Sequence, residues 1–405
     1  MKRILWVKGG KLLPVDTGGK IRSYNILRHL AQRHHVTLLS YYPGRRDTEY
    51  ELALEREFPG AIPVALGDSE SRIGQAVHYA VRVPRAAPYS VTKFTSPRVG
   101  ERVGELLESG RVDVAVCDFL LASLNFPTRP TVPTVLFQHN VESALWRRTA
   151  TYERNPAKKA LFKMEAWKMH RYERAALTRF DHVVAVSDHD KALMHAMAPA
   201  APITVVPTGV DVIGFTPPAA VRRSNRTVMF LGSMDWPANI DGVEYFCEAV
   251  WPLVLAAAPD ARFQVVGRKP PERILRFAGP SVEIAGGVKS VLPHLHAAAV
   301  FVVPLRIGGG TRLKIYEAMA AGVPIVSTTV GAEGLDVRDR EDILLADNPA
   351  QFADAVVKLL QQPDLRRSIA ANAAATAARF DWSVIATAFE GVLDRAMARA
   401  RPSGV

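Results

Sequence analysis

The residues whose types and spacing best support chemistry lie in the stretch 301–330. A short apolar run predicts a buried strand, three glycines predict a tight loop, and a helical pattern follows as far as Gly322. A helix that begins after a glycine loop presents free N–H groups and the positive end of its dipole, and both attract anions. The polar residues that open this helix are Thr311, a candidate cap, Arg312, Lys314 and Glu317.

Two cations and one carboxylate at this helix indicate a nucleotide site. Arg312 and Lys314 can hold phosphate groups, and Glu317 can accept two hydrogen bonds from a ribose diol. The alternative is a tight turn with solvated basic side chains. The strands on both sides favour the nucleotide site. Its remaining candidate residues are Gly308, Gly309 and Gly310.

Length and composition describe a globular protein large enough for two domains. The chain has 405 residues, of which 48% are hydrophobic and 22% charged. No apolar run approaches the roughly 20 residues that span a bilayer, and the apolar run after Arg3 is too short for a signal peptide. Cys117 and Cys247 read as reduced core thiols without zinc spacing. We therefore expect a cytoplasmic protein without a metal or other cofactor.

The formal net charge of +11 favours anionic partners, although it also serves solubility. No nucleic-acid-binding motif accompanies the charge, so we expect no nucleic-acid partner. The stretch 146–179 predicts a long helical region dense in Arg and Lys that also contains Trp167. Such a face can lie on an anionic membrane, and the alternative is a solvated helix.

The N-terminal half opens with a strand at 4–7, a helix at 21–32 and a strand at 35–41, the β-α-β start of a doubly wound domain. Gly18 and Gly19 meet the N-terminus of the helix, where a phosphate could bind. They lack the spacing of a dinucleotide fingerprint, which discounts a nicotinamide enzyme. Taken alone, they indicate a tight turn.

His139 follows the predicted strand 134–137, at the edge where parallel sheets place ligands. An isolated histidine there is more often structural, but Asn140 and Glu142 beside it favour a functional role. A Ser-His-Asp hydrolase is excluded because the chain lacks the G-x-S-x-G nucleophile elbow.

A second doubly wound domain is predicted from strands at 227–231, 263–266, 282–285 and 301–303. Gly232 and Ser233 follow the first of these strands, and Arg268 follows the second. The chain is thus predicted to be α/β in both halves.

The glycine loop and its helix resemble the donor-binding segment of the family 4 glycosyltransferases, which have the GT-B fold. The resemblance implies that Glu317 holds the ribose, that Gly18 and Gly19 face the diphosphate, and that His139 lies near the transferred sugar. The family's usual second glutamate is replaced by Gly309.

The resemblance also implies two Rossmann-like domains that face each other across a cleft. The expected divisions are an acceptor-side domain at 1–205, a nucleotide-sugar domain at 206–380 and a terminal helix at 381–405 that returns to the first domain. Many members carry Arg and Lys where this chain has Ser233 and Asn239. We expect Arg312 and Lys314, assisted by Arg268 or Arg306, to supply that charge.

The function implied by the resemblance is retaining glycosyl transfer with His139 and Glu317 as catalytic residues. The partners would be a nucleotide-sugar donor and a hydroxyl acceptor, including a lipid-linked one, in cell-envelope polysaccharide or glycolipid synthesis. The protein would act in the cytoplasm, on the inner face of the membrane. Two alternatives stay open: a nucleotide-sugar epimerase of GT-B architecture, and a non-catalytic nucleotide-binding or membrane-associated scaffold.

Overall fold

Short runs of β-branched and aromatic residues form parallel strands in the computed structural model. The structure describes residues 1–67, 87–153, 155–221, 223–307 and 312–400. The chain divides into two units: unit 1 comprises Met1–Pro207 with Ile385–Val405, and unit 2 comprises Thr208–Val384.

Within the described residues of unit 1, seven parallel strands form a sheet in the order β3-β2-β1-β4-β5-β6-β7. The strand order reverses between β1 and β4, and this switch point is where doubly wound sheets bind ligands, beyond the carboxyl ends of the strands. The strands are β1 (Arg3–Gly9), β2 (His35–Tyr42), β3 (Ile62–Ala65), β4 (Val114–Asp118), β5 (Thr134–Phe137), β6 (His182–Ala185) and β7 (Ile203–Val205).

Helices connect these strands, and a 3₁₀ turn at Leu120–Asn125 follows β4. The described helices of this part of the chain are α1 (Gly18–Ala31), α2 (Thr48–Glu57), α3 (Tyr89–Thr92), α4 (Pro97–Glu108), α5 (Glu142–Tyr152), α6 (Pro156–Arg179) and α7 (Asp188–Met197).

Unit 2 repeats the same winding in its described residues, with six parallel strands in the order β10-β9-β8-β11-β12-β13 and a switch point between β8 and β11. The predicted fold class of two doubly wound, Rossmann-like sheets is therefore confirmed. The strands are β8 (Thr227–Leu231), β9 (Arg262–Val266), β10 (Val282–Gly286), β11 (Val300–Val303), β12 (Ile325–Ser327) and β13 (Leu344–Leu345).

The described helices of unit 2 include a π-helical turn at Phe246–Val250 between α9 and α10. The helices are α8 (Val212–Phe215), α9 (Pro237–Tyr245), α10 (Trp251–Ala257), α11 (Glu272–Leu275), α12 (Leu292–Ala297), α13 (Leu313–Ala320), α14 (Pro349–Gln361) and α15 (Pro363–Ala378). The last helix of the chain is α16 (Trp382–Ala400).

Unit 1 contains an aromatic cluster formed by parts of the chain that are far apart in sequence. The Phe389 ring of α16 lies 5.4 Å from the Trp6 ring of β1 and 5.1 Å from the Phe137 ring at the end of β5. All three side chains are almost completely buried. Lys2 pairs with Glu390 at 3.0 Å beside this cluster. Helix α16 is thus part of the core of unit 1.

The predicted long helical region at 146–179 is two helices, α5, which ends at Tyr152, and α6, which begins at Pro156. The break occurs before Pro156, because proline lacks the N–H that would continue α5. Asn155 caps the new helix by accepting a hydrogen bond from the Lys158 N–H at 3.1 Å.

The basic residues of α6 do not all face solvent. Lys168 is buried next to Glu165, whereas Lys163, Trp167, Arg171 and Arg174 are exposed at a spacing that places them on one face of the helix. The Arg171 guanidinium lies over the Trp167 ring, 4.8 Å from its centroid. We call these four exposed residues the basic face of α6.

Candidate functional site

At the switch point of unit 1, the carboxylate of Asp118 is the central group. It lies at the end of β4, in register with Lys8 on β1, and it is 1% exposed. One of its oxygens, Oδ2, accepts hydrogen bonds from Trp6 Nε1 at 2.9 Å and from Lys8 Nζ at 3.0 Å. The other oxygen lies 2.7 Å from Nε2 of His139, just beyond β5. Three strand ends are therefore joined through one buried charge.

The protonation of this cluster follows from its contacts. Burial by itself would raise the pKa of Asp118, but the Lys8 charge and the hydrogen bonds from His139 and Trp6 hold that pKa well below its usual value. Burial lowers the pKa of His139, despite the opposing effect of Asp118. An ionised Asp118 and a neutral His139 fix the tautomer, because Nε2 must carry the proton that Asp118 accepts. Nδ1 of His139 is then a hydrogen-bond acceptor.

The second ring nitrogen of His139, Nδ1, lies next to the glycine turn at Gly18 and Gly19 that the sequence analysis identified as a possible phosphate site. His139 Nδ1 is buried and has no hydrogen-bond partner among the described residues. A Cβ atom at Gly19, in the first turn of α1, would be 3.8 Å from it. Arg22, one turn further along α1, reaches the backbone oxygen of His139 at 3.4 Å. Of the predicted residues, Gly19 and His139 are thus brought together by the fold, and Gly18 precedes them as the first residue of α1.

The completely buried side chain of Glu173, on α6, fixes the segment that carries His139 through hydrogen bonds. Its carboxylate accepts hydrogen bonds from the backbone N–H groups of Glu142 and Ser143 and from the Gln138 side chain, at 2.9, 3.1 and 3.2 Å. Burial and the nearby Glu173 raise the pKa of Glu142 to about 7. Glu173 therefore caps α5 and fixes the turn in which His139 lies.

The sequence analysis missed Asp118 and Lys8 as site residues. The available signal was their position, since each is a charged residue at the carboxyl end of an apolar strand. A sequence shows that two such residues exist, but only the strand order shows that they are neighbours.

In unit 2, the loops after β8 and β9 approach each other so closely that they require glycine. A Cβ atom at Gly267 would be 1.8 Å from the backbone oxygen of Gly232. A Cβ atom at Gly232 would be 2.8 Å from both the Asn239 amide nitrogen and Lys314 Nζ. The predicted donor residue Gly232 therefore has a steric role, because it lets Lys314 reach the end of β8.

Lys314 and Glu317 are half-buried on α13, three residues apart. Lys314 Nζ donates to Asn239 Oδ1 at 2.9 Å and lies 4.5 Å from the centroid of the Phe230 ring. Burial, with a contribution from Arg312, lowers the pKa of Lys314 to about 7, against the opposing effect of Glu317. Burial raises the pKa of Glu317 to about 7, against the effect of Lys314. The protonation states of Lys314 and Glu317 can therefore both change near neutral pH.

Ser233 and Arg268 form a more exposed cluster at the same edge of the sheet. Arg268 Nε donates to Ser233 Oγ at 2.9 Å, and Ser233 Oγ donates to Asp235 Oδ1 at 2.6 Å. Arg306 is held differently, by two hydrogen bonds to Asp241. The charge of Arg306 is thus neutralised within the protein.

The glycine loop itself, Gly308, Gly309, Gly310 and Thr311, lies outside the described residues. The helix after it begins at Leu313, with Arg312, 8% exposed, at the N-cap position. Within the described chain, no three His, Cys, Asp or Glu side chains are grouped so that they could hold a metal ion. No described helix has both the length and the apolar character needed to cross a membrane.

Two family models match the chain. The model for "Glycosyltransferase Family 4" matches residues 17–212, and the model for "Glycosyl transferases group 1" matches residues 225–362. The first match lies almost entirely within unit 1 and the second within unit 2.

Relatives match over different lengths. A phosphatidyl-myo-inositol mannosyltransferase from Mycobacterium leprae is 32% identical over 192 residues, which are 45% of this chain and 50% of the relative. The chain thus spans about half the length of such curated relatives. An uncharacterized 44.6 kDa protein from the cps region of Klebsiella pneumoniae is 22% identical over 391 residues, 92% of this chain and 95% of the relative.

Among solved structures, Anabaena HepE in complex with UDP is similar with a TM-score of 0.66 and 15% sequence identity. The match covers 97% of this chain and 99% of that chain. A likeness of this extent confirms the GT-B fold.

We predict that the Lys8–Asp118 pair stabilises unit 1 only as a pair. Asp118→Asn should lower the free energy of unfolding by roughly 3 to 5 kcal/mol, because it leaves Lys8 as a buried charge without its partner. The double variant Lys8→Met/Asp118→Asn should recover more than half of that loss. Urea unfolding of the two single variants and the double variant measures the coupling.

The exposed pair Arg102–Glu105 of the same unit is the matched control, and Glu105→Gln should cost less than about 1 kcal/mol. A double variant that is no more stable than Asp118→Asn would contradict the prediction.

Proposed function

We propose, from the premise that the chain belongs to glycosyltransferase family 4, that it moves a sugar from a nucleoside-diphosphate sugar to a hydroxyl acceptor and retains the anomeric configuration. The observation that carries the proposal is the environment of Lys314. Its half-buried ammonium group is bonded to the neutral amide of Asn239 and has no ion-pair partner among the described residues. A desolvated cation of this kind is stabilised by an anionic ligand.

The donor roles follow from the chemistry at α13. Lys314 and the free N–H groups at the start of the helix would hold the diphosphate, with Arg312 adding a second positive charge. Glu317, one turn further on, would accept hydrogen bonds from the ribose diol. Ser233 and Arg268, at the same edge of the sheet, would contact the phosphate groups from the β8 and β9 loops. Gly308, Gly309, Gly310 and Thr311 would form the loop that covers the diphosphate.

His139 would contact the transferred sugar in unit 1. Its Nδ1 is a buried acceptor without a partner in the described chain, so a sugar hydroxyl can donate a hydrogen bond to it. Gly19 leaves space for this hydroxyl, because a Cβ atom at that position would lie only 3.8 Å from His139 Nδ1. We assign His139 to orientation of the sugar, since its low pKa makes it a weak proton carrier at neutral pH.

In the reaction, the bond between the anomeric carbon and the diphosphate oxygen breaks while the acceptor oxygen bonds to the same face of that carbon. The acceptor proton passes to the departing phosphate oxygen. Lys314 and the N-terminus of α13 stabilise the negative charge that grows on the diphosphate, which is the main electrostatic requirement of the step. The scheme uses no carboxylate nucleophile.

The acceptor is proposed to be a cell-envelope polysaccharide or glycolipid precursor, including one linked to a lipid. Support comes from the names of relatives, one a phosphatidyl-myo-inositol mannosyltransferase and one from a cps region. The solved relative in complex with UDP supports a nucleoside-diphosphate donor.

We further propose that the protein acts in the cytoplasm and binds the inner face of the membrane through the basic face of α6. Lys163, Arg171 and Arg174 supply charge for anionic headgroups, and the exposed Trp167 supplies a ring suited to the interface.

The first prediction of this proposal is donor binding that depends on Glu317. In a panel of nucleotide sugars without acceptor, one donor should bind in calorimetry and slowly release its nucleoside diphosphate, as measured by chromatography. Glu317→Gln should weaken that binding by at least about tenfold, because a neutral amide cannot accept two ribose hydrogen bonds in the same way. Glu333→Gln, an exposed carboxylate in unit 2, is the control and should change nothing. If no donor in a broad panel binds, the scaffold alternative replaces the transferase.

The second prediction concerns protons. Because the pKa of free Lys314 is about 7, the residue is mostly neutral at pH 8 and must take up a proton to hold a diphosphate. Affinity for the nucleoside diphosphate should therefore fall as the pH rises from 7 to 9, by up to about tenfold per pH unit. Calorimetry in two buffers with different ionisation enthalpies should report about one proton taken up at pH 8. In the variant Lys314→Arg the side chain stays charged, so binding of the nucleoside diphosphate should no longer take up a proton. If the variant takes up as many protons as the unmodified protein, Lys314 is not the group that is protonated.

The third prediction tests the membrane surface. The protein should bind vesicles that contain phosphatidylglycerol, bind pure phosphatidylcholine vesicles weakly, and lose the first interaction at high salt. Replacing Lys163, Arg171 and Arg174 by Gln should weaken binding about a hundredfold, since each basic residue contributes about 1 kcal/mol. Replacing Arg262, Lys289 and Arg340 by Gln removes the same charge from exposed positions in unit 2. Equal losses in the two triple variants would show that net charge, and not the basic face of α6, is responsible.

A further inference from the structure

Phe119, the residue after Asp118, has a backbone conformation that side chains rarely tolerate. Its φ is +79° and its ψ is 148°, in a region that essentially only glycine occupies. In non-glycine residues, this conformation persists only where the surroundings impose it. Its position in the chain, between the carboxylate that holds His139 and the 3₁₀ turn, makes it a candidate for a functional role.

The surroundings that impose this conformation are visible as hydrogen bonds on both sides of the residue. The N–H of Phe119 donates to the backbone oxygen of Phe137 at 2.9 Å, which continues the pairing of β4 with β5. The backbone oxygen of Phe119 accepts from the Ala122 N–H at 3.1 Å and from Cys117 Sγ at 3.4 Å. The chain must therefore turn here, and a glycine would make the turn without strain.

The side chain of Phe119 is not needed to fill the core. Phe137, its neighbour across the strands, is 1% exposed and packs against Trp6 and Phe389. Phe119 is instead half-buried, and its ring stands perpendicular to the His139 imidazole, with 5.4 Å between the ring centroids. The strained backbone opposes folding, and the exposed part of the ring contributes nothing to the core. Their presence beside His139 indicates that the ring has a ligand.

We propose that the exposed part of the Phe119 ring is a stacking platform for the apolar face of a pyranose, in a sugar subsite shared with His139. The negative face of a benzene ring attracts the C–H groups on one face of a sugar, because these carry partial positive charge. Nδ1 of His139 would accept a hydrogen bond from a hydroxyl at the rim of the same sugar. A platform for the ring and an acceptor for one hydroxyl together select both the shape and the configuration of a sugar.

This inference rests on the proposed glycosyl transfer, and the sugar can come from two sources. It is either the transferred sugar of the donor or a sugar of the acceptor. A nucleobase could also stack on a phenyl ring. The polar group beside the ring, Nδ1 of His139, is a hydrogen-bond acceptor and favours a sugar, whose hydroxyls donate hydrogen bonds. A stacked nucleobase would instead make Phe119→Leu lose affinity for the nucleoside diphosphate as well.

The first part of the test concerns the strain and needs no ligand. Phe119→Ala and Phe119→Gly both remove the ring. The difference in thermal stability between the two variants therefore reports the cost of the backbone conformation at position 119. The glycine variant should be the more stable of the two, although glycine normally destabilises a fixed position relative to alanine. An alanine variant as stable as the glycine variant, or more stable, would overturn the proposal, since the ring would then be held without strain.

The second part uses Phe119→Leu, which keeps an apolar side chain, and Phe119→Tyr, which keeps the aromatic ring. With the nucleotide sugar that binds best, and with the corresponding nucleoside diphosphate as reference, calorimetry reports affinity. With a panel of octyl glycosides as acceptors at saturating donor, chromatography reports transfer. If the stacked sugar belongs to the donor, Phe119→Leu should lose about tenfold in affinity for the nucleotide sugar and none for the nucleoside diphosphate. If it belongs to the acceptor, donor affinity should stay and kcat/KM for the glycoside should fall about tenfold.

In either case Phe119→Tyr should behave like the unmodified protein. A leucine variant without loss in both assays, or a tyrosine variant that loses as much as the leucine variant, would overturn the proposal. If the unmodified protein binds no nucleotide sugar, the proposed glycosyl transfer is contradicted and this inference loses its basis. The comparison of Phe119→Ala with Phe119→Gly would still show whether the backbone at Phe119 is strained.

Discussion

The buried negative charge of Asp118 is the constraint on which the carboxyl edge of the sheet of unit 1 depends. A carboxylate without water must be paired and hydrogen-bonded, and here Lys8, Trp6 and His139 meet that requirement. Because these three residues come from β1 and from the end of β5, the carboxylate fixes the separation of the strand ends on both sides of the switch point. The tautomer of His139 follows from its hydrogen bond to Asp118.

The two units have the same winding but treat a buried cation in opposite ways. In unit 1, Lys8 is neutralised within the protein by Asp118, whose pKa is held well below its usual value by that charge and by hydrogen bonds. In unit 2, Lys314 is bonded to the neutral Asn239 among the described residues, and its pKa is lowered to about 7 by burial and Arg312. The first arrangement is a buried ion pair, and the second is a half-buried cation whose charge can change near neutral pH.

The sequence was a good guide wherever function depends on a local pattern. Strands β5, with His139 after it, and β8 have the bounds that their apolar patterns predict, because periodicity reports burial directly. The pairing of Lys8 with Asp118 depends on residues 110 positions apart in the chain, and no local pattern contains that information. The break between α5 and α6 was missed because the apolar and basic pattern continues across Pro156, although proline alone is a sufficient signal. The positive φ of Phe119 carries no sequence signal, since it is imposed by the hydrogen bond that its N–H donates to Phe137 of β5 and by the 3₁₀ turn that follows.

Unit 1 is formed by two segments that are separated in the chain by unit 2. This arrangement affects the order in which the two units fold during synthesis on the ribosome. Trp6 and Phe137 are synthesised early, but their aromatic partner Phe389 follows only after all of Thr208–Val384 has been made. At roughly 5 to 20 residues per second, the nascent chain exposes an unfilled aromatic pocket for tens of seconds. Unit 2 is contiguous in sequence and can complete its core first. The usual vectorial order is thereby reversed: the N-terminal unit is begun first and finished last, and during that interval it is the part of the chain that a chaperone would recognise.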